Sequence, residues 1–197
     1  MSARGLNQSP ARSRVQGQVT LAAGSTAIYP GQGPCRIGRV VTRTVNDRVV
    51  LFYHLTVLDD GGGELFVPVE KARAIGVRLL MKKSEIPGLL AHLKTSAKAA
   101  ESWKQRASDN MKLYTSGSPF DLAEIVASLS ELSTTRSLTL GESGTLGRAR
   151  RLLVSEISEV MGVTKTAAAE QLDNALKVRG VGTKTESVPG PLSPRTE

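Results

Sequence analysis

The chain contains a single cysteine, Cys35, so neither an internal disulfide nor a multi-cysteine zinc site can form. That usage fits a reducing cytoplasm. Histidine is nearly as scarce, and His54 and His92 are the whole supply. A nucleophilic cysteine needs a base within hydrogen-bond reach, and Cys35 and His54 fall on adjacent predicted strands. No third orienting group or oxyanion-hole pattern accompanies them, and a buried cysteine with a surface histidine is the better reading. No apolar run approaches the roughly 20 residues of a membrane span. The N-terminus has Arg4, Arg12 and Arg14 but no apolar segment of a secretory signal. These absences predict a cytoplasmic protein with no membrane partner. Nucleotide-binding patterns are missing too, with no GxxxxGK[ST] and no strand-bound GxGxxG. Gly61-Gly62-Gly63 joins two predicted strands and reads as a hairpin loop, not as a phosphate cradle. Asp59, Asp60 and Glu64 read as a solvated turn, not as a cation site. The sequence therefore predicts no catalytic residue, no metal, no cofactor and no small-molecule substrate.

What the chain does carry is positive charge: a net of +8 and a pI near 9.9, a balance that suits a partner with negative surface, nucleic acid first. The excess is uneven. Met1 to Leu80 holds 10 Lys+Arg against 5 Asp+Glu, whereas Met81 to Glu197 holds 16 against 13. The longer second half is therefore mixed in sign and only weakly basic.

Hydrophobic periodicity divides the chain in the same place. Residues 1–23 are Ser-, Gln-, Gly- and Arg-rich without apolar periodicity, and predict a disordered basic arm. From Gly24 to about Leu80 the period is two, punctuated by Gly, Pro and Asn-Asp. Strands are predicted over Ser25 to Tyr29, Cys35 to Val45, Arg48 to Leu58, Glu64 to Val69 and Val77 to Met81. Val49, Leu51, Tyr53, Leu55 and Val57 share one face and Leu65, Val67 and Val69 another, and both are expected inside. Phe52, His54 and Phe66 are expected outside. Five short antiparallel strands in this space predict an SH3- or Tudor-like small barrel over residues 24–81.

After Leu80 the period becomes 3.6 and predicts a compact all-α module of about five helices over residues 82–178, giving an α+β protein of two modules. Ser84 is the expected cap of a helix carrying Ile86, Leu89, Leu90 and Leu93. A second helix, about Ala99 to Thr115, carries Trp103, Ala107, Met111 and Tyr114. Ser118-Pro119-Phe120-Asp121 opens a third, expected to bury Phe120, Ile125, Val126, Leu129 and Leu132. Thr139-Leu140-Gly141-Glu142 is a capping box opening a fourth, and Thr164 caps a last helix through Leu176. Residues 179–197 are Pro-, Gly-, Ser- and Thr-rich and predict a flexible tail.

Ala27-Ile28-Tyr29-Pro30-Gly31-Gln32-Gly33, Val67-Pro68-Val69 with Gly76-Val77-Arg78, and Trp103-Lys104-Gln105-Arg106 begin an ordered set of motifs that resembles the CarD/CdnL family of bacterial RNA polymerase-binding regulators. Ala27-Ile28-Tyr29-Pro30-Gly31-Gln32-Gly33 is similar to that family's "VYPxxG" opening. Val67-Pro68-Val69 and Gly76-Val77-Arg78 are similar to the stretch that closes its β module. Trp103-Lys104-Gln105-Arg106 resembles "WxxR". Ser116-Gly117 with Leu122 to Val126, then Leu138 to Glu142 with Ala149 to Leu153, resemble "(T/S)G…AEVVRDL" and "LSxGE…ARxLL". The likeness runs from about Gly24 to Leu176.

The resemblance implies a Tudor-like module that binds the RNA polymerase β subunit and a helical module over the upstream edge of the transcription bubble. By position, Arg43 matches an arginine of the polymerase contact, Phe66 stands where some relatives have a second arginine, and Arg39 joins that surface. Trp103 matches a residue that wedges at the minor groove, with Lys104, Arg106, Arg148 and Arg150 as phosphate-facing cations. The departures lie on the DNA side. Gln105, Arg106 and Ala107 replace "RRY", and Ser143-Gly144 follows Glu142 where many relatives have Lys-Arg. The expected partners are accordingly the β subunit and, weakly or conditionally, promoter DNA. The alternative is an adaptor whose helical module recruits a further regulatory protein and hardly touches DNA. The two readings differ in the fate of Trp103, exposed or packed.

Overall fold

The computed structural model describes residues 21–59, 61–94 and 102–181. The expected disordered arm (apart from Leu21 to Ala23), Asp60, Ala99 and all but the start of the expected tail lie outside the described residues.

Five antiparallel strands form one sheet in the order β4-β3-β2-β1-β5, the strand order of an SH3- or Tudor-like barrel. They are β1 Thr26–Tyr29, β2 Gly33–Val45, β3 Arg48–Val57, β4 Glu64–Pro68 and β5 Arg78–Leu79. Asn46 and Asp47 both adopt positive φ between β2 and β3, as a tight hairpin turn of this hand requires. Asp59 Oδ1 accepts hydrogen bonds from the amides of Gly61 and Gly62, which makes the β3–β4 connection an Asx-type turn. A short helix α1 Ala72–Ile75, absent from the sequence-based expectation, leads into β5.

The interior of the sheet is smaller than alternation predicts. Tyr53, Leu55 and Val57 are buried with Cys35, Ile37 and Val67, but Val49 is 73% exposed and Leu51 50%. The cause is coverage, not facing. Strand β4 pairs only with Phe52 to Thr56 of β3, and β1 only with Gly33 to Arg36 of β2. Beyond an irregularity between Ile37 and Val40, β2 and β3 continue as a two-stranded ribbon whose inner face no strand among the described residues covers. At the other end, Leu21 is buried in this core, three residues before the expected start of structure.

The helical module comprises α2 Ile86–Lys94, α3 Trp103–Ser116, α4 Pro119–Thr135, α5 Leu140–Met161 and α6 Lys165–Val181. Helix-forming signals act where they were expected for α4, whose Ser118 accepts from the Asp121 amide, and for α5, where Thr139 and Glu142 form a reciprocal capping box. The Thr164 hydroxyl caps α6. Ser84 does not cap α2; it lies in a 3-10 turn, Lys83–Glu85, started by the Glu85 carboxylate accepting from the Lys82 amide. Phe120 is 38% exposed instead of buried, because it sits on the first turn of α4 with its ring edge against His92. Leu89, Leu93, Ile125, Leu129, Leu153, Ile157 and Leu172 form the centre of a second core.

The two modules meet through a polar strut and a close backbone approach. Arg78 of β5 donates from both Nη atoms to the Glu156 carboxylate of α5, at 2.6 and 2.7 Å, and from Nε to the Gly117 carbonyl at 2.7 Å. The Met81 amide also donates to Glu156, which is buried. Pro30 lies against Gly76 and Gly117, where a Cβ would stand 3.0 and 3.1 Å from its Cγ.

Candidate functional site

Two surfaces gather the residues singled out from sequence. On the outer face of the sheet, the cross-strand pair His54 and Phe66 stacks with ring centroids 4.9 Å apart and planes 11° apart. The guanidinium of Arg43 lies 3.8 Å from the Phe66 centroid on the adjoining ribbon. Phe66 is thus in contact with both. Arg43 makes no hydrogen bond or ion pair among the described residues, so its donors are free. His54 fits closely against the backbone of β2 at Gly38, where a Cβ would stand 3.1 Å from the His54 carbonyl and 3.2 Å from Nδ1. Its Nε2 lies 3.4 Å from Glu64 without a hydrogen bond. Arg39 is exposed in the irregular stretch between Ile37 and Val40, outside the regular cross-strand pairing that positions Arg43. The sequence pattern puts His54 on an outer face without singling it out as a site residue, and its pairing with Phe66 across two predicted outer faces is the signal that points to it.

The second surface is built on α3, which buries none of its own residues fully. Ser102 caps it, and Trp103 stands at its first position, 63% exposed. Lys104 Nζ is 5.8 Å from the indole centroid. Trp103, Ala107, Met111 and Tyr114 form one wall of a groove of about 440 Å3, and the first turns of α5 form the other with Gly141, Thr145 and Arg148. Arg148 is exposed, 6.0 Å from the Tyr114 centroid and hydrogen-bonded to Thr145. The structure therefore brings Trp103, Lys104 and Arg148 to one place.

Two other expected cations are engaged internally. Arg106 pairs with Glu142 at 3.3 Å, and Arg136 pairs with the same carboxylate at 2.8 Å. Hydrogen bonding from Arg136, assisted by the Thr139 cap and opposed by burial, holds the Glu142 carboxyl down at about 2. Glu142 thereby ties α3 to the start of α5. Arg150 lies elsewhere, paired to Asp173 of α6 at 2.7 Å beside an open groove shared with Arg151.

Cys35 lies in the barrel core, with its thiol pushed up to about 11 by burial. The register pairs it with Val57 on the inner face, opposite to the outward His54. No cluster of metal-ligating side chains occurs among the described residues. Among the same residues no helix is long and apolar enough to cross a membrane.

A small barrel offering a cation on an aromatic face, joined through Arg78 and Glu156 to a helical module offering an exposed indole, defines a docking protein of two modules. The CarD-like/TRCF RID domain matches residues 21–80, and the CarD C-terminal domain matches residues 89–173. Together these matches cover well over half of the chain, which belongs to the CarD/CdnL family of RNA polymerase-associated transcription regulators. Its domains are those of non-enzymatic regulators, and the N-terminal one implies binding to the RNA polymerase β subunit.

Proposed function

We propose that this protein docks on the β subunit through Arg43, Phe66 and Arg39 and stabilises the promoter open complex through a limited DNA contact centred on Trp103. The module boundary in this reading falls between Met81 and Lys82, with residues 24–81 docking on polymerase and residues 82–178 facing DNA. The single observation that carries the reading is the exposure of Trp103, 63%, on a helix otherwise anchored by Glu142. A bulky apolar side chain left in water at a helix start is available to an unstacked base step, while Lys104 and Arg148 are placed to meet phosphate.

The adaptor reading draws support from the internal pairing of Arg106 and Arg150, which leaves the DNA-facing side with few free cations. The deciding experiment is open-complex lifetime on a promoter with cognate polymerase, without the protein, with wild type and with Trp103→Ala. The expected result is a longer lifetime with wild type that the variant loses. An unchanged lifetime with polymerase binding retained would replace this reading with the adaptor.

A further inference from the structure

The ribbon of β2 and β3 carries an apolar inner face beyond the end of the barrel. Register and alternation put Val40, Thr42 and Thr44 of β2 with Val49 and Leu51 of β3 on that face, in line with the buried Tyr53 and Leu55. Val40, Val49 and Leu51 are each about half exposed or more. The chain enters the barrel at the same spot. Leu21, the first described residue, is buried in the barrel core, and the turn from Ala22 to Ser25 joins it to the sheet. There the Gly24 amide donates to the Ile37 carbonyl at 2.7 Å, immediately before the irregularity at which the ribbon starts. Residues 1–20 are thus tethered beside the uncovered face.

Three exposed side chains do not define a partner, but the tether, length and pattern of the preceding chain do. A separate protein or a second copy would need an interface of roughly 1,200–2,000 Å2 to dock stably, far more than this face offers. A tethered segment needs no such area, because its docking is intramolecular. From Val40 to Val45 the ribbon extends about 20 Å at about 3.3 Å per residue, and residues 15–20 span the same length when extended. Val15 and Val19 are too sparse to show a period by themselves. In an extended chain they share the side of Leu21, with Gly17 between them and Gln16, Gln18 and Thr20 opposite. The burial of Leu21 turns that side inward. We propose that residues 15–20 form a strap over the inner face of the ribbon, Val19 against Val40 and Leu51 and Val15 against Val49. Arg12 and Arg14 then reach the ribbon's tip, where Asp47 is its one acid. Arg43 stands on the outer face of the same ribbon, so the strap steadies the platform of the polymerase contact. That consequence rests on the proposed docking reading; the strap itself does not.

The test uses the full chain, in which Cys35 is buried and leaves introduced thiols as the reactive ones. Val19→Cys is combined with Leu51→Cys, and Val15→Cys with Val49→Cys. The control is Val15→Cys with Val45→Cys, an exposed residue on the outer face near the tip. In a glutathione redox buffer at dilute protein, intact mass and gel mobility read the disulfide. Both inner pairs are expected to close within one chain about tenfold faster than the control, because the strap concentrates its thiols on one face only. Amide hydrogen exchange reads the same contact without a cross-link. Val15→Asp with Val19→Asp should speed exchange over residues 48–52 about tenfold and leave residues 53–57 of the barrel unchanged. Equal closure of inner and outer pairs, or exchange over residues 48–52 that the double variant leaves unchanged, would overturn the strap. Disulfides between chains in the inner pairs would overturn it too, and would assign the face to a second copy. Neither readout involves polymerase, so failure of the strap is separate from failure of the docking reading, which would show as unchanged β-subunit binding in Arg43→Ala.

Discussion

Phe66 converts a long, mobile arginine into a fixed donor. An arginine side chain gives up about 1–2 kcal/mol of rotamer freedom when it is immobilised. Arg43 has lost part of that freedom before any partner arrives, because its guanidinium already rests on the Phe66 ring, itself stacked on His54. Arg43→Ala and Phe66→Ala are each expected to weaken binding to the β subunit by about 1–2 kcal/mol. The double variant should lose less than the sum, since each removes the same pre-arranged contact. Titration calorimetry on the four proteins checks this, and strictly additive losses would show that the column does not act as a unit. Alternation was sufficient to place His54 and Phe66 on outer faces, but it could not place Arg43 over the ring. That placement depends on the irregularity at Ile37 to Val40, which shifts the pairing of β2 against β3.

Helix α3 illustrates how an element can be held almost entirely by its ends. With no fully buried residue, it depends on Leu113 and Tyr114 near its C-terminal end and on the Arg106–Glu142 pair towards the other. Glu142 also closes the capping box of α5, so Thr139→Ala should lower stability by about 1 kcal/mol in a urea titration. The Glu142 carboxyl has an ordinary value of 4.5 and is held at about 2 when folded, so the unfolded chain takes up its proton first. Its contribution to stability is therefore complete above about 4.5 and is lost as pH falls through about 2. Glu142→Gln should flatten the fall in stability across that interval, seen as denaturation midpoints that converge with wild type at the acid end. The same ion pairs decide which cations of the helical module are left for an anionic partner. If only Lys104 and Arg148 meet phosphate, the logarithm of duplex affinity should fall with the logarithm of salt at a slope of about −2. Lys104→Gln should remove about one unit of it. A slope of about −4 would mean that Arg106 and Arg150 leave their carboxylates to bind DNA.

Several of the motifs that carry the family resemblance converge on the junction of the two modules. Pro30 comes from one, Gly76 and Arg78 from a second, Gly117 from a third, and all meet beside the buried Glu156. Glycine is required at Gly117 on two counts, a φ of 73° and the 3.1 Å approach to Pro30. Arg78→Ala would leave the Glu156 carboxylate buried without its cation, and should cost about 3–5 kcal/mol of unfolding free energy. A loss below about 1 kcal/mol in chemical denaturation would mean that the modules part and let water reach Glu156.

Element order, most helix starts and the division into β and α modules follow from short-range patterns. Periods of two and 3.6, capping side chains and turn residues act within a few positions of one another, and the sequence alone determined them. Coverage did not follow, because Val49 and Leu51 have the correct period and yet face solvent where neighbouring strands have ended. Nor did the state of the cations. Arg106 and Arg150 read as free charges, and each is bound to a carboxylate 36 or 23 residues away. Which charges remain free for polymerase or DNA is decided by how the helices pack, because an ion pair forms only where the fold brings distant side chains within a few ångströms.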